Sequence, residues 1–212
     1  MSDRLRPLLV VAAALVLVLG VVPAVLGALD RSYLYQVANL ALIFVLLAAS
    51  MHLVTGVAGL LQLGHAAFYG IGAYTAALLA TEAGLTFGWT LPLSGLSAAF
   101  VAVLVALPTM RLVSIYFAVA TLGIGQMIYL VMLNWVPVTK GPNGILVTSG
   151  LELFGYDLSA SAPAYFVVAI ITLVSLWVIH RLSHSYYGNA LRALREDDQC
   201  ADAMGLDTVR LK

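Results

Sequence analysis

The side chains best able to do acid–base or metal chemistry in this 212-residue chain gather near its C-terminal end: His180, His184, Glu196, Asp197 and Asp198. His180 and His184 stand four residues apart and share a helix face, yet no glutamate lies between them as a zinc-binding HExxH helix requires. The single cysteine, Cys200, excludes an intramolecular disulfide and any CxxC metal site. A small apolar helix residue describes it better than a reactive thiol. No GxxxxGK[ST] phosphate loop is present. The inventory predicts no catalytic residue, no metal site and no cofactor held by this chain. A membrane-embedded enzyme, such as a lipid-modifying transferase, would have to build its site from those five groups alone.

Elsewhere, ionisable groups are scarce. Between Ser32 and Met110 the sole formal charge is Glu82, at a predicted span end. Charged groups inside a bilayer are costly and mark proton or ion pathways. The absence of a mid-span carboxylate therefore argues against an ion-coupled secondary carrier. The remaining polar candidates are Gln36, Asn39, His52, Gln62, His65 and Gln126, each explained as well by an interhelical hydrogen bond. His65 stands out because small residues surround it in Gln62-Leu63-Gly64-His65-Ala66-Ala67-Phe68-Tyr69-Gly70-Ile71-Gly72-Ala73-Tyr74. Close backbone approach, or an interrupted helix exposing backbone groups to a cavity, suits such a run. Gly64, His65, Tyr69 and Gly72 are the candidate lining of a transmembrane path. Gly123, in Thr121-Leu122-Gly123-Ile124-Gly125-Gln126, joins them as a short echo of Gly70-Ile71-Gly72.

The elements that must position these residues are membrane helices. The chain is 62% hydrophobic and 9% charged, with a mean hydropathy of +1.02, where soluble domains carry about a quarter charged residues. Net charge is zero, so no basic surface invites nucleic acid. Crossing about 30 Å of hydrocarbon takes roughly 20 helical residues. Runs of about that length cover Leu8 to Leu29, Tyr33 to Val54, Gly64 to Thr81, Trp89 to Thr109, Val113 to Leu133 and Pro163 to His180. The first follows Arg4 and Arg6 but is longer than a signal-peptide core, so it is an uncleaved span. The third is short and Gly-rich, and both a plain crossing and a broken or re-entrant helix stay open for it.

The predicted fold class is all-α, a polytopic bundle of about six spans forming one transmembrane domain over 1–212. Six crossings place Arg4, Arg6, Arg111, Arg181, Arg192, Arg195, Arg210 and Lys212 on one side and only Arg31 and Lys140 on the other. Basic residues favour the cytoplasmic side, so both termini are expected there. The loop 134–162 then lies outside, and Lys140-Gly141-Pro142-Asn143-Gly144 within it cannot continue a helix.

Nine of the twenty charged residues fall between Gly188 and Lys212. At helical spacing, Ala190, Ala193, Leu194, Cys200, Ala201 and Met204 share one arc, while Arg192, Arg195, Glu196, Gln199 and Asp202 share the other. Asp197 violates the pattern, and a break there would make two helices of one. Arg192 can pair with Glu196 and Arg195 with Asp198. An exposed amphipathic helix on an oily chain offers a surface to water or to a soluble partner.

Three stretches together, Gly59 to Tyr74, Ser114 to Gly123 and Gly188 to Gly205, resemble the LivM-type permeases of ABC importers for branched-chain amino acids. The resemblance covers essentially the whole chain, and permeases for urea and short amides share much of the pattern. It implies a transport subunit in the bacterial cytoplasmic membrane, without its own ATPase site. Its implied partners are two ABC ATPase subunits that bind ATP and Mg, a second permease of LivH type, a periplasmic substrate-binding protein and the lipid bilayer. Residues 134–162 become a periplasmic loop and 182–212 a cytoplasmic coupling segment. The family's coupling motif, Glu-Ala-Ala, three residues, then Gly, falls on Gln199, Cys200, Ala201 and Gly205, with Gln for Glu and Cys for Ala. Together with Arg192, Arg195 and Glu196 these are the expected ATPase-coupling residues. Such permeases continue with further membrane helices, so the sequence is expected to be a C-terminally truncated one.

Overall fold

The computed structural model of the chain describes residues 32–109, 112, 114–147, 152–153, 156–157 and 161–196, with the isolated positions Val18 and Pro23. The expected first span, Leu8 to Leu29, falls almost wholly outside these residues, as do Gln199, Cys200, Ala201 and Gly205.

Helix α1 (Ser32–His52) runs into a wider π turn, Leu53–Val57. After seven non-helical residues, Ala58 to Gly64, come α2 (His65–Thr81), α3 (Phe87–Thr109) and α4 (Ser114–Asn134). A short α5 (Val136–Thr139) and a 3-10 turn (Gly141–Asn143) follow, then a two-residue antiparallel ladder of β1 (Glu152–Leu153) and β2 (Tyr156–Asp157). Helices α6 (Ser161–Ser183) and α7 (Tyr186–Glu196) complete the described chain. The protein is an all-α, polytopic helix bundle.

Among the described residues, four helices are long and apolar enough to cross a membrane: Tyr33–Val57, Phe87–Thr109, Ile115–Asn134 and Ala162–Ser183. Each matches a run read from composition to within a few residues. Helix α2 has 17 residues, about 26 Å at 1.5 Å per residue, a little short of a full hydrocarbon core. It is continuous from His65 to Thr81, so the irregular backbone lies just before the Gly-rich segment rather than within it. In the four long spans only 6% to 17% of the most apolar window is buried. Lipid or further helices must therefore cover most of their surface.

The chain divides into two compact units, 1–50 with 158–182 and 51–157 with 183–212. In the first, Tyr165, Ala169 and Thr172 of α6 are buried at i, i+4, i+7 spacing, one helix face. Tyr165 donates its hydroxyl to the Val18 carbonyl (2.7 Å) and meets Tyr35 of α1 edge-on, with ring centroids 6.0 Å apart. Arg181, one turn beyond Trp177, lies 5.7 Å over its exposed indole ring, a cation–π contact.

In the second unit, α2 packs most extensively along α3. Gly72 leaves space for Ala98 and the Ser94 carbonyl, and Ser97 donates to Thr75 across the same seam (3.0 Å). Beyond α4, the Thr139 hydroxyl donates to the Met132 carbonyl (2.6 Å) and accepts from the Gly141 N–H (3.2 Å). Lys140 takes the left-handed conformation, φ 60°. The turn thus folds back onto the end of α4, as Lys140-Gly141-Pro142-Asn143-Gly144 demands.

Candidate functional site

Within the second unit, α2 and α4 separate to leave a cavity of about 390 Å³, inside the range of small-molecule sites. Ala67, Gly70 and Tyr74 of α2 face Leu122, Gln126 and Tyr129 of α4 across it. These spacings of three and four residues mark one face of each helix. The walls are mainly aliphatic and Gly-lined, with one amide and two phenols as polar groups, and no lining residue is charged. Such a space suits an aliphatic side chain and offers a few hydrogen bonds to orient it.

Glycine chemistry sets one end of the cavity. A Cβ added at Gly64 would collide with the Thr121 carbonyl oxygen, and one at Gly125 would lie 3.1 Å from the Gly64 Cα. The non-helical segment before α2 therefore touches α4 backbone to backbone, an approach only small residues permit. Thr121 fixes this seam. Its buried hydroxyl donates to the Ala118 carbonyl (3.0 Å) and accepts the Leu63 N–H (3.2 Å).

The other end of the same segment meets α7. Arg195 donates from Nη1 to the Gly56 carbonyl (2.6 Å), and its methylene stem lies against Gly59, whose φ is +72°. Ala190 and Leu194 of α7 are buried while Arg192, Arg195 and Glu196 are exposed, so the helix is two-faced, though Ala193, expected on the apolar arc, is exposed. Arg192 reaches back to Asn189 Oδ1 (3.4 Å) rather than forward to Glu196. Both choices are solvent-exposed and nearly equal in energy.

A family model described as branched-chain amino acid transport system, permease component, matches residues 33–212. The chain belongs to this family. The permease component LivM of the high-affinity branched-chain amino acid transport system is 37% identical to it in Escherichia coli (strain K12) and 36% identical in Salmonella typhimurium (strain LT2). Each match covers 84% of this chain and 47% of the relative, so the chain spans about half the length of the curated relatives it matches. No solved structure matches it.

In this family member the residues expected to line a path fall in different places. Gly64 is at the cavity. Gly72 lies in the α2–α3 seam, and a Cβ at Gly123 would meet nothing within 4 Å. Tyr69 is half exposed and, like His65, is not among the cavity's lining residues. Tyr74, Gln126 and Tyr129 are the lining polar groups, and Tyr129 carried no local signal. The spacing Gly64, Ala67, Gly70, Tyr74 was available as a stripe, but nothing in it named α4 as the opposite wall. Of the coupling residues, Arg192, Arg195 and Glu196 lie on α7, and the Gln199 to Gly205 motif lies outside the described residues.

Proposed function

We propose that the chain is part of the membrane-spanning subunit of a bacterial ABC importer for branched-chain, hydrophobic amino acids. Two separate ATPase subunits bind ATP and Mg and supply the power, a second permease of LivH type completes the path, and a periplasmic binding protein delivers the substrate. The observation that carries this reading is the uncharged, aliphatic, Gly-lined cavity between α2 and α4 in a chain of this family. Its volume and walls suit a branched side chain, and Gln126, Tyr74 and Tyr129 supply orienting hydrogen bonds. Gly64 and Ala66 put the first turn of α2, the positive end of its dipole, beside the cavity, where a substrate carboxylate is stabilised.

The Arg195–Gly56 bond supports the topology. It brings the end of α1 and α7 to one membrane face, which needs an even number of crossings between them. With α2 counted as a crossing, α2, α3, α4 and α6 supply four, and the basic residues around α7 favour a cytoplasmic face.

Uptake by the complete transporter in proteoliposomes tests the reading. Leucine should enter only with ATP inside and binding protein outside, and Gln126→Leu should raise the leucine KM by about tenfold, the cost of one lost hydrogen bond. Uptake of urea or acetamide in place of leucine would reassign the substrate. Uptake that persists without ATP and collapses with the ion gradient would overturn the importer mechanism.

A further inference from the structure

We propose that Arg195 is a positioning residue that links α7 mechanically to the cavity through the backbone of Gly56 to Gly64, rather than a contact for the ATPase. The inference rests on the proposed transport function and assigns this one arginine a task inside it.

A helix end leaves its last carbonyls without intrahelical donors. At the π turn, the Ala58 N–H reaches the Leu53 carbonyl (3.3 Å) and the Leu60 N–H reaches the Val54 carbonyl (3.2 Å). The Gly56 carbonyl is taken by the Arg195 guanidinium, from 139 residues away in sequence. A cation at the negative end of α1 forms a charge-assisted bond that is stronger than a neutral one. The stem of the same side chain fills the space over Gly59, where a Cβ would stand 2.5 Å from Arg195 Cγ. Gly59 thus supplies both the left-handed turn and the room for the arginine.

From Gly59 the chain has five residues to reach Gly64, a span of at most about 18 Å. None of them is helical, so no hydrogen-bond ladder lets this strap absorb a displacement along its own length. Its far end is held by the Leu63 N–H on Thr121 and by the contact of Gly64 with Gly125. Leu63 and Gly64 both line the cavity. A shift of α7 pulls on Gly56 and Gly59 through Arg195 and arrives at the cavity rim. Arg192, whose described hydrogen bond is a long 3.4 Å contact one turn back on the same helix, is left to meet the ATPase.

The test uses the complete transporter with Arg195→Ala, Arg195→Lys and Arg192→Ala. With Arg195→Ala, the ATPase subunits should co-purify in wild-type amounts while leucine uptake and substrate-stimulated hydrolysis fall about tenfold or more, within the usual range of coupling between sites. Arg195→Lys, which keeps the charge and one donor, should recover part of the uptake. Arg192→Ala should show the reverse pattern, weakened co-purification. Gly59→Ala combined with Arg195→Ala should lower uptake no further than the worse single variant, because both break one joint. Loss of co-purification in Arg195→Ala, or uptake at the wild-type rate, overturns the inference. A wild-type transporter that takes up no leucine overturns the proposed substrate instead, which separates the two failures.

Discussion

The strap from Ala58 to Gly64 is fastened at both ends by glycine, but in opposite ways. At Gly64 the neighbour is the backbone of α4, so an added methyl meets a carbonyl that cannot move without unwinding a helix. At Gly59 the neighbour is the stem of Arg195, a side chain with several rotatable bonds. The first end is a backbone seam and the second a side-chain joint. Motion of α7 enters through the arginine at Gly56 and Gly59, and at Gly64 it meets α4 directly. Two glycines five residues apart therefore do different mechanical work.

Substitutions at four positions probe this contrast. Gly64→Val should be the most damaging, destabilising the protein by about 3 kcal/mol or more through overpacking against a fixed backbone; the thermal midpoint in detergent and leucine uptake should both collapse. Thr121→Val leaves the Leu63 N–H without its acceptor and should cost roughly 1–3 kcal/mol; Thr121→Ser should restore most of the thermal midpoint. Gly59→Ala should cost about 1–2 kcal/mol from its left-handed φ, and its added steric part should shrink in an Arg195→Ala background, where only the Cβ of residue 195 still stands close. Gly123→Ala, with open space around the new methyl, should change stability and uptake least. A large uptake defect there would return Gly123 to the transport path and break the distinction drawn between α4's glycines.

The helices of this protein were legible because lipid imposes length and apolarity on any spanning segment, and five of the six runs correspond to described helices. Helix α2 was ambiguous because its glycines serve packing on two sides: Gly72 toward α3, Gly64 and Gly70 toward α4. Composition records the need for small residues without recording which neighbour demands it. The π turn was hidden for a related reason. Composition ends a run at Val54, but nothing in Leu53 to Leu63 distinguishes a wider π turn from a plain helix end. Arg195 had a visible charge but an invisible partner, since a backbone carbonyl leaves no trace in residue type. The amphipathic helix, by contrast, was readable from spacing, apart from Ala193, which is exposed rather than on the buried face.

The chain's three tryptophans give the cavity an unexpected experimental character. Trp89, Trp135 and Trp177 are all more than half exposed, and none lines the space between α2 and α4. Indole emission from this chain consequently reports the lipid or detergent around it and is blind to whatever occupies the cavity. Among the described residues, Tyr74 and Tyr129 are the aromatic side chains that line it. Replacing Tyr129 by tryptophan would turn a spectroscopically silent site into one whose filling and emptying can be watched directly.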